Sequence, residues 1–220
     1  MQPMNDADAV LFDLDGVLID SRVPFARSIN HALLAHGLPP RPEHELHQYL
    51  GPPLHRTFEV LAGDESLVQP CVDIYRQRYQ ERATAETTIF PGIREMLDDL
   101  SAHLPLAIAT SKPHALAEPL LESLELRRFF TAVVGPDLEV EHERKAATID
   151  RALSEFSSAA QPVMVGDRKY DITAAHEHGI HAIGVLWGVG SEEELSAAGA
   201  DALARTPVEL ATLLWPKLER

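Results

Sequence analysis

The chain has 220 residues, of which 45% are hydrophobic and 24% charged, a balance typical of a globular protein with a buried core. Its 34 acidic and 19 basic residues give a net charge of −15, so nucleic-acid binding through a basic patch is not expected. The single cysteine, Cys71, excludes an intramolecular disulfide. No apolar run reaches the roughly 18–20 residues that cross a bilayer, and the polar N-terminus lacks a signal peptide's basic segment. We therefore expect a cytoplasmic protein with no membrane partner.

The chain opens with an apolar run at residues 9–12, which predicts a β-strand. The region from about Ser21 to Thr87 then shows helical periodicity without a convincing strand, and glycines and prolines divide it into several helices. We predict an all-helical domain inserted at residues 19–88, with Phe90-Pro91-Gly92 marking the return to the first domain. That first domain comprises residues 1–18 and 89–220.

The rest of the chain alternates apolar runs with amphipathic segments. The runs predict strands at 106–109, 132–134, 163–165 and 182–186, and a short strand near 200–203. Between and after them, helices are predicted at 93–100, 114–124, 145–156 and 172–178, and from Pro207. Apolar strands separated by helices are typical of a parallel sheet covered on both faces. The predicted fold is therefore α/β, with a doubly wound (Rossmann-like) core and the helical insertion.

Asp13 and Asp15 follow the first strand, in the sequence Phe12-Asp13-Leu14-Asp15-Gly16. Asp-Gly between apolar runs is also a strong signal for a β-hairpin turn, and this segment alone favours neither reading. A hairpin leaves Asp13 unexplained, because a carboxylate within an apolar strand is costly unless it is paired or metal-bound. At the carboxyl end of a central parallel strand, Asp13 would face the crevice where α/β proteins bind ligands.

A second acidic turn follows the strand at 163–165, where Asp167 and Asp171 lie four residues apart. The simpler reading is an N-cap aspartate followed by an aspartate that favours the helix dipole. Two acidic strand ends in one sheet, however, bring four carboxylates into one crevice, where they repel one another unless a cation is bound. Ligands that are all oxygens suit Mg²⁺, so we predict a magnesium site.

Two further segments offer groups that bind anions. Thr110 and Ser111 end the strand at 106–109, and a helix follows; hydroxyls and free amides there can bind phosphate, or the hydroxyls can simply cap the helix. Lys145 opens another helix, where a cation opposes the macrodipole and so requires another partner, although a solvated surface lysine is the alternative. Arg144, the adjacent residue, is the rival candidate for the same role.

The order Asp13-x-Asp15-Gly16, Thr110, Lys145 and Gly166-Asp167-x-x-x-Asp171 resembles the four motifs of the haloacid dehalogenase superfamily. The helical insertion looks like its alpha-helical (C1-type) cap. Three segments look most like the phosphoglycolate phosphatase branch: Gly51-Pro52-Pro53-Leu54, Ala109-Thr110-Ser111-Lys112-Pro113 and Val165-Gly166-Asp167-Arg168. In the third motif the chain departs from many relatives, which have Lys-Pro where this chain has Lys145-Ala146.

The resemblance implies a phosphatase that acts on a small phosphorylated metabolite. Asp13 would attack phosphorus and form an aspartyl-phosphate, while Asp15 would protonate the leaving oxygen and later activate water. Asp13, the backbone carbonyl of Asp15, Asp167 and Asp171 would hold Mg²⁺. Thr110, Ser111 and Lys145 would hold the phosphoryl oxygens.

The cap is expected to cover the site and to contact the rest of the substrate. Candidate contacts are Arg22, Gly51, Pro52, His55, Arg56 and Tyr79. A phosphomutase of the same superfamily, or a non-catalytic binding or regulatory protein that keeps the fold, remains the alternative. A dehalogenase is disfavoured because it needs no acid at Asp15. The sequence is compatible with a monomer or a homodimer.

Overall fold

The structure is a computed structural model that describes residues 7–138, 140, 143–156 and 161–215. The chain divides into two compact units: the described residues of Met1–Ile19 with those of Ile89–Arg220, and the segment Asp20–Thr88. The elements, in chain order, are β1 (Ala9–Phe12), β2 (Ile19–Asp20), α1 (Arg22–Ala35), α2 (Glu43–Leu46), α3 (Leu54–Ala62), α4 (Val68–Glu86), β3 (Thr88–Ile89), α5 (Ile93–Ser101), β4 (Leu106–Ala109), α6 (His114–Ser123), β5 (Ala132–Val134), α7 (Lys145–Ser154), β6 (Pro162–Gly166), α8 (Lys169–Glu177), β7 (His181–Val185), α9 (Glu192–Ala197), β8 (Ala202–Ala204) and α10 (Pro207–Leu214).

The larger unit is built on a six-stranded sheet in the order β5-β4-β1-β6-β7-β8. Every pairing in it is parallel: Val10 of β1, for example, is in register with Leu106 of β4 on one side and Val163 of β6 on the other. The hairpin reading of Asp15-Gly16 is therefore wrong, because both neighbours of β1 are distant, parallel strands. The predicted parallel α/β fold is confirmed.

Helices cover both faces of this sheet, which is why its strands are apolar throughout. All four side chains of β1 are buried. Val10 and Phe12 belong to a hydrophobic cluster that includes residues of α5, α6 and α10, whereas Leu11 belongs to a second cluster with residues of α7, α8 and α9. Because successive side chains of a strand point to opposite faces, the two clusters lie on opposite sides of the sheet. The core is doubly wound, as predicted.

Several element boundaries differ from those predicted. The sequence predicts a helix from residue 172, whereas α8 begins at Lys169. The earlier start is explained by the Arg168 amide, which donates a hydrogen bond to Asp171 Oδ2 at 3.1 Å and so caps the helix. α9 was not predicted, since its six residues are too few to show a periodicity. Its start is fixed by Ser191, whose hydroxyl accepts a hydrogen bond from the Glu194 amide at 3.1 Å.

The smaller unit, within the described residues, is formed by α1–α4 and two short 3-10 helices, His47–Tyr49 and Glu65–Leu67. Helices α1 and α4 pack against each other around an aromatic core. In it, Tyr75 makes edge contacts with Phe25 and Phe58 and stacks on Tyr79, with ring centroids 5.5 Å apart. None of the helices in the described segments is both long and apolar enough to cross a membrane.

Leu11→Ala should strongly destabilise the sheet unit, because Leu11 is fully buried on the central strand. We expect a loss of about 2–5 kcal/mol in the free energy of unfolding, since truncation leaves a cavity. Denaturant unfolding can be followed by tryptophan fluorescence, because both tryptophans, Trp187 and Trp215, lie in this unit. Val208→Ala is the control: Val208 is 73% exposed, and a comparable loss there would contradict the assignment of the core.

Candidate functional site

Three carboxylates converge at the carboxyl edge of the sheet. Asp13 directly follows β1, Asp167 directly follows β6, and Asp171 lies in the first turn of α8. Because β1 and β6 are adjacent and parallel, both strands end at the same edge, and Phe12 is in register with Val165. Carboxylate oxygens of the three residues lie within 4.8 Å of one another. This group, Asp13, Asp167 and Asp171, is called the acidic triad below.

Lys145 supplies a positive charge to the triad. Its ammonium nitrogen lies 2.7 Å from Asp13 Oδ1 and 2.7 Å from Asp171 Oδ1, and its side chain is buried. Burial by itself would lower the pKa of Lys145, but the charges of Asp13 and Asp171 and their hydrogen bonds outweigh burial and raise it. Arg144, by contrast, is exposed and forms an ion pair with Glu177. Of the two rivals, only Lys145 contacts the triad.

Burial makes the negative charge of the triad expensive. It raises the pKa of Asp13 to about 6, although the charge of Lys145 partly opposes this and the charge of Asp171 adds to it. Burial also raises the pKa of Asp167 well above its ordinary value, and the negative charges of Asp171 and Asp13 raise it further. One lysine therefore does not neutralise this group, and the site favours an additional cation.

Asp15 stands apart from the triad and has its own cationic partner. Its Oδ2 lies 3.0 Å from the ammonium of Lys112, and its Oδ1 is buried without a hydrogen-bond partner among the described residues. The turn after Asp15 requires a glycine at position 16. Gly16 has a φ of +84°, and a Cβ at this position would lie only 2.2 Å from Asp167 Oδ2. Lys112 was not among the site residues predicted from the sequence, since a lysine after a strand end has no distinctive spacing.

Thr110 and Ser111 lie at the end of β4, the strand on the other side of β1. Thr110 is buried, and its hydroxyl accepts a hydrogen bond from the Lys112 amide at 3.1 Å; Ser111 is exposed. Helix α6 begins only at His114 and has no side-chain cap. The alternative in which one of these hydroxyls simply caps α6 is therefore wrong.

The six remaining candidates lie in the helical unit, where three of them contact residues of the same unit. The Arg22 guanidinium donates to Asp20 at 2.8 Å, and the His55 ring is hydrogen-bonded to Gln69 at 2.8 Å. Tyr79 is only 2% exposed and belongs to the aromatic core. The other three candidates are at least partly exposed: Gly51, Pro52 and Arg56. The acidic stretch before Arg144 falls partly outside the described residues, which omit Glu139, Glu141 and His142.

Residues 10–185 match the sequence model of the haloacid dehalogenase-like hydrolases. The chain belongs to this family. The match covers the helical insertion and the sheet as far as β7, and it confirms the resemblance drawn from the four motifs. Its relatives include named phosphatases, and the chain is an enzyme of the hydrolase class.

Curated relatives of this haloacid dehalogenase-like hydrolase include named phosphatases. It is 36% identical to a 5'-nucleotidase of Pseudomonas aeruginosa over 86% of each chain, and 34% identical to a phosphoglycolate phosphatase of Chromobacterium violaceum over 94% of this chain and 96% of that one. These names support the predicted phosphatase class and the likeness to phosphoglycolate phosphatases.

Solved structures show the same fold. A haloacid dehalogenase-like hydrolase of Streptococcus pneumoniae superimposes with a TM-score of 0.87 and 31% identity, covering 93% of this chain and 97% of that chain. Protein tyrosine kinase A (PtkA) of Mycobacterium tuberculosis superimposes with a TM-score of 0.83 and 31% identity, covering 95% of this chain and 98% of that chain. The same fold therefore occurs in one protein named as a hydrolase and in another named as a tyrosine kinase.

The donor set of this hydrolase fits the divalent cation expected for the family. In the described part of the chain, Asp167 Oδ1 is a buried oxygen without a hydrogen-bond partner. A buried acceptor left in that state is costly, and a cation would satisfy it. A few carboxylates, with no nitrogen or sulfur, match the preference of Mg²⁺, which keeps several of its waters.

Mg²⁺ should stabilise the protein more strongly as the pH rises from 5 to 7. The metal-free pKa of Asp13 is raised to about 6, so at pH 5 a cation must displace a proton that is largely absent at pH 7. The measurement is the increase in melting temperature on adding MgCl₂ at each pH. Asp167→Asn is the control and should abolish the increase at every pH. An increase that is the same at pH 5 and pH 7 would contradict the proton competition.

Proposed function

We propose that this chain is a magnesium-dependent phosphatase that hydrolyses a small phosphate monoester through an aspartyl-phosphate intermediate. The observation that carries this proposal is the environment of Asp13, an aspartate at the end of the central strand. Lys145 lies 2.7 Å from one of its oxygens, and two further buried carboxylates lie within 4.8 Å. A nucleophile, a fixed cation and a set of metal ligands are the groups that cleavage of a phosphate ester requires.

In the proposed reaction, Asp13 is the nucleophile. The Lys145 ammonium donates to Oδ1 and favours the ionised carboxylate, while Oδ2 attacks phosphorus. The bond from phosphorus to the leaving oxygen then breaks, and the phosphoryl group is carried by Asp13. Lys145 and the groups at Thr110 and Ser111 would bind the phosphoryl oxygens, whose charge they stabilise in the transition state.

Asp15 is proposed to handle the proton. Its buried Oδ1 has no hydrogen-bond partner among the described residues, so that oxygen is available to the leaving group. Asp15 would first protonate the leaving oxygen and then take a proton from the water that hydrolyses the aspartyl-phosphate. Two carboxylates can divide acid and nucleophile roles when their surroundings differ, and here each has its own lysine partner: Lys145 for Asp13, Lys112 for Asp15.

The metal would be held by the acidic triad and the backbone carbonyl of Asp15. Bound there, Mg²⁺ would supply charge neutralisation for the anionic phosphoryl group. That contribution matters in a chain with a net charge of −15, whose surface repels anionic substrates. Within the site, Lys145 and Lys112 are the cations that the structure shows next to the two proposed catalytic carboxylates.

The proposed substrate is a small phosphorylated metabolite. Two relatives are named for a 5'-nucleotidase and a phosphoglycolate phosphatase activity, and both reactions release phosphate from a small ester. A panel that contains phosphoglycolate, 5'-nucleotides and sugar phosphates, assayed for phosphate release with and without Mg²⁺, tests the proposal. Release from none of them would contradict it. An isomerised sugar phosphate in place of free phosphate would favour the phosphomutase.

Asp13→Asn should lower turnover on the best substrate by at least about 1000-fold, because an amide is a poor nucleophile for phosphorus. Asp15→Ala should also lower turnover, by about 100-fold or more, through loss of the proton donor. Unlike Asp167→Asn, Asp15→Ala should keep the melting-temperature increase caused by Mg²⁺, since its proposed metal contact is a backbone carbonyl. Equal loss of that increase in both variants would contradict this division of roles.

Lys145→Met should reduce turnover by about 100-fold or more, because it removes the buried ammonium that contacts Asp13 and, in the proposal, the phosphoryl oxygens. Arg144→Met is the matched control: it removes the adjacent cation, which is exposed and pairs with Glu177. Steady-state kinetics of both variants at pH 7 provide the measurement. A larger loss in Arg144→Met than in Lys145→Met would assign the role to the other residue.

A further inference from the structure

The loop that follows β7 encloses the carboxylate of Asp167. The amide of Val189 donates a hydrogen bond to Asp167 Oδ2 at 2.7 Å. The beginning of the loop is fixed by the Leu186 amide, which donates to the carbonyl of Ala204 at 2.9 Å. The segment Trp187-Gly188-Val189-Gly190, called the Asp167 loop below, has no role in the proposed chemistry. Its backbone nevertheless contacts one of the proposed metal ligands directly.

Glycines make this close approach possible. A Cβ at Gly188 would lie 2.4 Å from Asp167 Oδ2, and one at Gly190 would lie 1.9 Å from the Asp167 carbonyl oxygen. From the other side, a Cβ at Gly16 would lie 2.2 Å from the same Oδ2. The Asp167 carboxylate therefore lies between two stretches of backbone that approach it closely, at Gly16 and at Gly188.

Trp187 ties these two stretches of backbone together. Its indole nitrogen donates a hydrogen bond to the Val17 carbonyl at 2.9 Å, which links the Asp167 loop to the turn after β1. Trp187 also packs against the hydrophobic cluster that contains Val10 and Phe12. Both anchors, at Leu186 and Trp187, precede Val189 in the chain and fix the approach of the loop to Asp167.

The two oxygens of Asp167 consequently differ. Oδ2 is engaged by the Val189 amide, while Oδ1 is buried without a hydrogen-bond partner among the residues that the structure describes. We infer that the Asp167 loop holds Asp167 as a ligand through Oδ1 alone, and that this makes the site select Mg²⁺ over Ca²⁺. The inference rests on the proposed function, because it concerns the metal of that reaction.

The physical basis is the difference between the two cations. Mg²⁺ requires an octahedral shell at about 2.0–2.1 Å and is satisfied by carboxylates that contribute one oxygen each. Ca²⁺ takes about 6–8 oxygens and gains from carboxylates that contribute both. An Asp167 whose Oδ2 is engaged by the Val189 amide offers the ion Oδ1, which suffices for Mg²⁺ but withholds one ligand from Ca²⁺. The Asp167 loop is therefore a positioning element, since it acts through Asp167 and does not touch the substrate.

The test measures cation affinity without substrate. Melting temperatures, followed by circular dichroism, are titrated with MgCl₂ or CaCl₂ alone to give an apparent dissociation constant for each. Trp187→Phe removes the indole donor but keeps an aromatic ring, and Gly188→Ala places a methyl group against Asp167 Oδ2. Val189→Ala is the matched control: it shortens a side chain in the same loop, retains the amide, and should bind both cations as the wild type does.

Trp187→Phe and Gly188→Ala should each weaken Mg²⁺ binding by about 10-fold, as is typical when a partner that orients a metal ligand is lost. Ca²⁺ binding should weaken less or improve, so the ratio of the two constants shifts toward Ca²⁺. A role limited to folding would lower both affinities by the same factor, and that result, or unchanged constants, would overturn the inference. If Gly188→Ala does not fold, Trp187→Phe decides.

The outcomes also separate this inference from the proposed function. A wild type that binds Mg²⁺ and releases phosphate, with variants that keep its selectivity, overturns the inference alone. A wild type whose melting temperature does not respond to Mg²⁺ overturns the proposed metal dependence, and the inference with it.

Discussion

The adjacency of β1 and β6 is the constraint on which the site depends. Two parallel neighbours end at the same edge, so the aspartates that follow them, Asp13 and Asp167, lie there with Asp171, with carboxylate oxygens within 4.8 Å of one another. Carboxylates that are buried this close repel one another and lack the water that would otherwise stabilise them. The raised pKa values of Asp13 and Asp167 are the consequence of that placement. Perturbed pKa values of this kind are typical of sites that bind a ligand or carry out catalysis.

The positive charges next to the site are distributed unevenly, and the distribution separates the roles of the carboxylates. Lys145 bridges Asp13 and Asp171, whereas Lys112 pairs with Asp15. The two lysines arrive from different strands, since Lys112 follows β4 and Lys145 opens the helix after β5. Each of the two proposed catalytic aspartates therefore has a separate electrostatic environment. This is the condition under which one of them can act as a nucleophile and the other as an acid and base.

The comparisons place the chain in a family whose members share this fold but carry different names. This chain is at least 31% identical to a 5'-nucleotidase, a phosphoglycolate phosphatase and a protein tyrosine kinase. The kinase also shares the fold of this chain, and fold alone does not determine substrate. The proposal for this chain therefore rests on the residues at the carboxyl edge of its sheet, and the substrate has to be found by assay.

The strands of the sheet and the acidic residues at its edge could be predicted from the sequence, three of the strands with their observed bounds. Apolar runs predicted β1, β4 and β5 at their observed bounds, because strands buried on both faces tolerate only apolar side chains. Tertiary structure alone decided between a hairpin and a parallel strand for Asp13-Leu14-Asp15-Gly16, since the local turn signal is the same in both and only the partners of β1 differ. It also revealed Lys112 and the Asp167 loop, whose partners lie 97 and 22 residues away. Contacts of that kind leave no periodicity or spacing in the chain, because they arise only when separate strand ends are brought to the same edge.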